Sequence, residues 1–351
     1  MMGFKIGERL IGPGSPVYVV AELSANHNQD FDQAVRIIQA AKDSGADAVK
    51  IQTYTAETIT LRCDREEFRI GGGTLWDGRT LFELYNEAFT PWEWQPKLKQ
   101  AANDLAMELF SSPFDDTAVD FLEQMNVPAY KLASFELVDI GLIRKMAKTG
   151  KPLILSTGMA TIEEIDEAIR TARQAGAKQI ALLKCTSAYP ATADDMNLHT
   201  IPELAKRFDV PVGLSDHTME NTAAVAAVTL GACIIEKHIT MSRSLKGPDS
   251  EFSLEPHEFK ATVDAIRTTE RALGRVQFGP SDREASSRVF RRSLFVVQDV
   301  RRGEEFTAHN VRSIRPAHGL HTRHLPEVLG KRASRDIVRG TPLDWDLVQK
   351  Q

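Results

Sequence analysis

The stretch VPVGLSDHT, residues 210–218, sets five apolar or small residues against four polar ones, Ser215, Asp216, His217 and Thr218. A short apolar run bounded by turn formers reads as a buried strand. Ending such a strand on four groups that each need a partner is unfavourable unless the strand end faces something polar. One architecture supplies that situation for every strand at once: in a closed (β/α)8 barrel the C-terminal strand ends surround a common pocket.

Working outward, the runs VYVVAE (17–22), DAVKIQ (47–52), MELFSS (107–112), AYKLAS (129–134), PLILST (152–157), IALLKC (180–185) and CIIEKH (233–238) have the same texture and also end polar. With VPVGLS (210–215) they make eight candidate strands. Between them lie segments of helical spacing, such as FDQAVRIIQAAKDSG and TIEEIDEAIRTARQAG, closed by a glycine suited to the residue after a last helical turn. The class is therefore α/β, and a (β/α)8 TIM barrel is expected over residues 1–285, with a doubly wound open sheet as the second architecture. From 286 to 351 the texture changes to short apolar runs and tight turns at RRGE and VRGT, which predicts a small β-rich domain behind the polar linker GPSDREASSR.

The 351 residues are 42% hydrophobic and 26% charged, with a net charge of −5, which suits a globular chain and offers no continuous basic stretch for nucleic acid. Three cysteines, Cys63, Cys185 and Cys233, without CxxC spacing argue against a disulfide framework or a zinc ribbon. The opening residues lack an apolar signal region, and no apolar run approaches the roughly 18 residues of a membrane span. A soluble, cytoplasmic protein without nucleic-acid or membrane partners is the expectation.

His217 and His238 end consecutive candidate strands, so their rings should meet at the barrel mouth. Two imidazoles suit either a divalent cation (manganese, magnesium or cobalt) or a pair of hydrogen-bonding side chains. Lys50, Lys131 and Lys184 point to the same mouth beside Ser134, Ser156 and Ser215. Such a group fits a small polyanion bearing phosphate and carboxylate, lysines neutralised by Glu22, Glu136 and Glu236, or a Schiff-base lysine. Glu22 and Glu136 are the acid/base candidates. GGGTLWDG (71–78) does not follow a strand that opens a βαβ unit, so it reads as a loop and not as a dinucleotide site. HGLHTRH (His318, His321, His324) sits beside Pro316 and Gly319 in the expected small domain and is not taken as a metal site.

The segments AELSANHNQD, AVKIQTY, SSPFDD, YKLASFE, ILSTGM, CTSAYP, GLSDHT, EKHIT and GPDSEFSL, in this order, resemble the sialic acid synthase family over nearly the whole chain. The C-terminal part, from about Ser293, resembles its antifreeze-like (SAF) domain. The resemblance implies condensation of phosphoenolpyruvate with an open-chain N-acetylated amino sugar, giving a nine-carbon 2-keto sugar acid and phosphate. It implies that His217 and His238 hold the divalent metal, manganese first among the candidates. Lys50, Ser112, Lys131, Ser134, Ser156, Ser187 and Ser215 would bind phosphoenolpyruvate, and Glu22 would attend the attacking water. Gln52, Glu136, Tyr189 and Asp249 would lie on the sugar side, and Arg315 would reach the sugar of a partner subunit in a domain-swapped homodimer. Ser187 replaces the asparagine of the neuraminate-forming members, Ser112 a usual threonine, and Ala317 the second glycine of the usual RPG pattern. The loop containing Leu75 and Trp76 resembles the pseudaminate-forming branch, whose acceptor is 2,4-diacetamido-2,4,6-trideoxy-L-altrose. Neuraminate or legionaminate synthesis stays open as an alternative, as does a non-catalytic carbohydrate-binding role.

Overall fold

The chain begins with a hairpin absent from the sequence expectations, in which β1 (Phe4–Ile6) and β2 (Arg9–Ile11) pair antiparallel. The eight expected runs then appear as β3 (Tyr18–Glu22), β4 (Ala48–Thr53), β5 (Glu108–Pro113), β6 (Tyr130–Leu132), β7 (Leu153–Ser156), β8 (Ile180–Cys185), β9 (Val212–Asp216) and β10 (Ile234–His238). All pair parallel in chain order, and β10 returns to β3, with His238 opposite Glu22. That closure overturns the doubly wound alternative. This is a computed structural model, and it describes residues 3–350.

The strands read as nearly continuous apolar runs because both faces are covered, one by side chains filling the barrel and the other by helices. β3, β7, β8, β9 and β10 are buried at every position. The outer helices are α1 (Phe31–Asp43), α2 (Ala56–Ile59), α3 (Leu81–Ala88), α4 (Gln95–Asp104), α5 (Asp116–Gln124), α6 (Ile140–Lys148), α7 (Ile162–Gln174), α8 (Thr200–Phe208), α9 (Thr222–Thr229) and α10 (Pro256–Leu273). Many start where the sequence places a capping oxygen: Asp30, Asp115 and Asp139 accept from backbone N–H groups of the first turn, and Thr55, Thr80 and Thr161 form reciprocal capping boxes. β6 stops two residues earlier than its sequence run, because Ala133 and Ser134 turn into a single helical turn, Phe135–Val138.

The chain divides into compact units at Gly274 and Arg275. In the C-terminal unit β11 (Ser293–Val296) pairs antiparallel with β12 (Val311–Ile314), and isolated bridges such as Val300 to Ile337 extend the β character. Its own core contains Leu294, Val296, Phe306, Val311, Val328 and Leu343.

Candidate active site

Strand parity sorts the polar groups that the sequence places side by side. Successive side chains on a strand point to opposite faces, so on β10 Glu236 and His238 line the cavity at the barrel mouth while Lys237 turns outward. Ser215 on β9 likewise lines the cavity, and Asp216 turns outward to meet Lys237 at 2.7 Å. Asp216 also accepts from the Thr218 backbone and hydroxyl. The SDHT and EKH clusters are therefore two functions interleaved: a buried ion pair that ties β9 to β10, and two imidazoles facing inward.

At the cavity floor Lys50 lies 2.9 Å from both Glu22 and Glu236. Burial disfavours its ammonium, but the two carboxylates outweigh burial and hold its pKa above the ordinary lysine value. The carboxylates themselves are driven apart. Burial and the neighbouring Glu236 push Glu22 up against the pull of Lys50, whereas Lys131 and Lys50 overcome burial at Glu236 and draw it down. Lys131 donates to Ser156 Oγ at 2.7 Å and to the Leu132 carbonyl at 2.9 Å, and burial lowers it to about 8. Pairing of Lys50 with Glu22 and Glu236 thus accompanies the inward lysine cluster. Lys184 does not join it: its ammonium binds the Cys185 carbonyl and the Thr186 hydroxyl.

Beside these cations is a hydroxyl cradle. Gly158 donates its N–H to Ser134 Oγ at 3.2 Å, and a Cβ at Gly158 would collide with both Ser134 Oγ and Ser187 Oγ. The missing side chain lets those hydroxyls approach. Ser112 faces the barrel interior, since Ser111 takes the opposite parity and bonds Thr53 and the Ile51 carbonyl; Ser112 Oγ is buried with no partner. Serine hydroxyls and two lysines converging in a buried space, with the Gly158 N–H orienting Ser134, suit an anion with several oxygens.

The His217 and His238 ring centroids are 5.4 Å apart. His217 Nδ1 bonds the Thr186 carbonyl at 2.9 Å, and because a carbonyl only accepts, Nδ1 carries a proton and the ring's orientation is fixed. His238 Nδ1 is buried without a partner, and burial, His217 and the nearby lysines hold this ring well below the ordinary histidine pKa, so it is neutral. Burial pulls His217 in the same direction, but contact with Cys185 reverses it and raises its pKa. Burial would raise the Cys185 thiol, yet His217, Ser134 and Lys131 bring it to about 6. An orphaned ring nitrogen on one histidine and an orienting carbonyl on the other fit a divalent cation with further positions left for substrate oxygen.

Above the histidines Tyr189 packs on His217 with centroids 4.5 Å apart, and Phe252 lies 5.0 Å from His238. Trp76 contacts Tyr189 and donates its indole N–H to the Pro248 carbonyl. Gln52 donates to Glu22 at 3.0 Å. Asp249 accepts from Ser24 and from the Ala25 N–H, and burial lifts its carboxyl to about 7. Burial lifts Glu136, whose Oε2 is buried without a partner, also to about 7. Of the expected loop, Thr74 and Trp76 reach the cavity, whereas Leu75 is 41% exposed and outside its lining. Arg315 follows β12 in the C-terminal unit and is exposed. In the same unit His321 binds Arg323 and His324 binds Glu327.

Sequence reasoning gave Glu236 only as a neutralising partner, and it passed over Cys185 and Phe252 as site residues. The alternation EKH does mark Glu236 as sharing a face with His238. Nothing in the spacing of Cys185 or Phe252 marks them, because their roles depend on neighbours distant in sequence.

The NeuB family matches residues 37–278, and the SAF domain matches residues 291–349. The chain is 46% identical to the pseudaminic acid synthase of Campylobacter jejuni over 327 residues, which covers 93% of this chain and 95% of that protein. It is 35% identical to the N,N'-diacetyllegionaminic acid synthase of Legionella pneumophila over 344 residues, covering 96% of each. The crystal structure of N-acetylneuraminic acid (sialic acid) synthetase from Leptospira borgpetersenii in complex with citrate superposes with a TM-score of 0.72 at 30% identity, covering 82% of this chain and 95% of that one.

Proposed function

Because the chain belongs to the NeuB family, we propose that it condenses phosphoenolpyruvate with 2,4-diacetamido-2,4,6-trideoxy-L-altrose and water to give pseudaminate and phosphate. The observation that carries the chemistry is the buried meeting of Lys50, Lys131 and the serine cradle with two inward imidazoles. The sugar assignment is supported by the 46% identity to a pseudaminic acid synthase, against 35% to a legionaminic acid synthase.

In this reading Lys50, Lys131, Ser112, Ser134, Ser156, Ser187 and Ser215 hold phosphoenolpyruvate, with the Gly158 N–H holding Ser134 in place. Fixing both substrates makes their reaction effectively unimolecular, which is worth up to about 7–11 kcal/mol in well-oriented systems. His217 and His238 would hold a divalent cation, manganese being the first candidate, and when bound it would supply Lewis-acid polarisation of the sugar's aldehyde oxygen. The C2–C3 π pair of phosphoenolpyruvate forms the new bond to sugar C1, and the aldehyde oxygen takes its proton from the Glu136 carboxyl, whose proton affinity burial raises. Water adds at the C2 left electron-poor and gives its proton to Glu22. Burial and Glu236 raise the proton affinity of Glu22 while Lys50 and Gln52 hold it in place. Collapse of the resulting tetrahedral carbon to the 2-keto group breaks the C2–O bond; the C2 hydroxyl proton leaves with phosphate, and the proton taken by Glu22 returns through solvent to Glu136. Gln52, Glu136, Tyr189, Asp249 and Trp76 face the sugar. The proposal extends to a cytoplasmic, domain-swapped homodimer in which Arg315 is presented to the sugar bound by a second copy of the chain.

Phosphoenolpyruvate carrying 18O in its C–O–P bridge tests this sequence of bonds. The label should appear in inorganic phosphate alongside a new nine-carbon keto acid. Label retained in the organic product, or no carbon–carbon product, would overturn it.

A further inference from the structure

A cavity of about 500 Å³ is lined by two chemically different groups of residues. Its floor is polar, with Lys50, Lys131, Ser156 and Glu236 at the strand ends. The segment between β4 and α4 contributes Ile59, Ile70, Leu81 and Leu84 to the same lining, with Thr74, Trp76 and Tyr85 from that segment. Leu84 is buried, and Ile59, Ile70 and Leu81 are half-buried. The segment is also held in place: capping boxes fix the starts of α2 and α3, the Ile70 N–H and carbonyl pair with Arg79 and Gly78, and Tyr54 stacks edge-on against Tyr85 at 5.6 Å.

We infer that this aliphatic wall selects the acceptor: Ile59, Ile70, Leu81 and Leu84 receive the far end of the sugar and favour a methyl over a hydroxymethyl group at its terminal carbon. The inference rests on the proposed reaction. The aldehyde carbon must lie at the floor beside His238 and phosphoenolpyruvate, so the rest of an open-chain sugar projects toward the wall. A methyl placed there is removed from water with nothing lost. A hydroxyl is stripped of water and finds no donor or acceptor on four aliphatic side chains. The glycine-rich loop beside the wall has a different part. Gly71, Gly72 and Gly73 have open space around them, and its inward residue Trp76 is anchored to the Pro248 carbonyl and packed on Tyr189.

The test compares kcat/KM for 2,4-diacetamido-2,4,6-trideoxy-L-altrose and its 6-hydroxy counterpart, in parallel with 6-deoxy-N-acetylmannosamine and N-acetylmannosamine. Wild-type protein should favour the deoxy member of a pair by about 100-fold, the scale on which an apolar pocket rejects an added hydroxyl. Ile59→Thr and Leu81→Ser should each reduce that ratio to about tenfold or less, while Leu61→Ser, at a position on the same segment that is 55% exposed, should leave it unchanged. Thermal melting identifies any variant that has lost its fold, and Ile59→Thr, nearly isosteric, guards against that outcome. An unchanged ratio in both folded wall variants overturns the inference and leaves the proposed function standing. Preference for the mannosamine pair overturns the sugar assignment, yet the ratio within that pair still judges the wall. Turnover of neither pair overturns both.

Discussion

Replacing Glu136 by glutamine keeps the side chain's shape and removes one titration. Burial lifts the Glu136 carboxyl to about 7, and the opposing pull of Lys131 is too weak to restore it. In the unfolded chain the group titrates near the ordinary glutamate value of about 4.3. Between those values the folded protein holds a proton that the unfolded chain has released, so stability from this group is complete below the window and is lost as pH rises through about 7. At about 1.4 kcal/mol per decade the whole window is worth about 4 kcal/mol, of which about 3 kcal/mol falls between pH 5 and pH 8.5. For a barrel of this size that corresponds to roughly 5–10 °C in Tm. Thermal unfolding of wild type and Glu136→Gln at pH 5 and pH 8.5, followed by circular dichroism, reads it directly. The variant's Tm relative to wild type should rise by that amount between the two pH values, because only the wild type carries the ionised carboxylate. A difference that stays constant with pH would refute the reasoning about burial. Turnover adds a second reading: loss of an acid/base group costs about 100-fold in kcat, whereas unchanged kcat would make Glu136 a bystander.

His217→Ala and His238→Ala should each abolish manganese binding in titration calorimetry and metal-dependent turnover while melting within a few degrees of wild type; retained binding in either would remove the paired-imidazole site. Gly158→Ala should raise the KM for phosphoenolpyruvate by about 100-fold, the scale of a 1 Å misplacement, because its Cβ displaces the Ser134 and Ser187 hydroxyls; a KM within twofold of wild type would show that the cradle does not bind that substrate. Lys237→Ala strands Asp216 in a buried position and should cost about 3–5 kcal/mol, seen as a drop in denaturation midpoint that joint replacement of both residues by apolar ones partly recovers; no recovery would argue against the ion pair as the cause. Arg315→Ala should raise KM for the sugar more than for phosphoenolpyruvate, and equal effects would contradict its proposed sugar-side role.

The barrel was legible in the sequence because strands covered on both faces leave an apolar signature that survives without tertiary knowledge; β8 matches its expected run residue for residue. The β1–β2 hairpin was not, since three-residue strands such as Phe4–Ile6 are too short to show alternation. Inward residues such as Lys50, Lys131, Ser215 and His238 were legible as polar groups breaking an apolar run, although Asp216 and Lys237 break their runs in the same way and turn outward. Lys184 shows where that logic fails: on β8 it is Cys185, paired with Ser215, that has the cavity-facing parity, so Lys184 turns away and its ammonium binds the Cys185 carbonyl and the Thr186 hydroxyl. The aliphatic wall was hidden for the opposite reason. Ile59, Leu81 and Leu84 have the composition of ordinary helix packing, and only the path of the segment after β4 turns them toward the cavity.

The central claim is tested most directly by measuring phosphate release from phosphoenolpyruvate, with and without manganese, in the presence of 2,4-diacetamido-2,4,6-trideoxy-L-altrose, 2,4-diacetamido-2,4,6-trideoxy-mannose or N-acetylmannosamine. Metal-dependent release with the L-altro sugar, well above the other two, is the predicted result. Preference for either of the others would contradict the acceptor assignment, and release with none of the three would contradict the synthase chemistry itself.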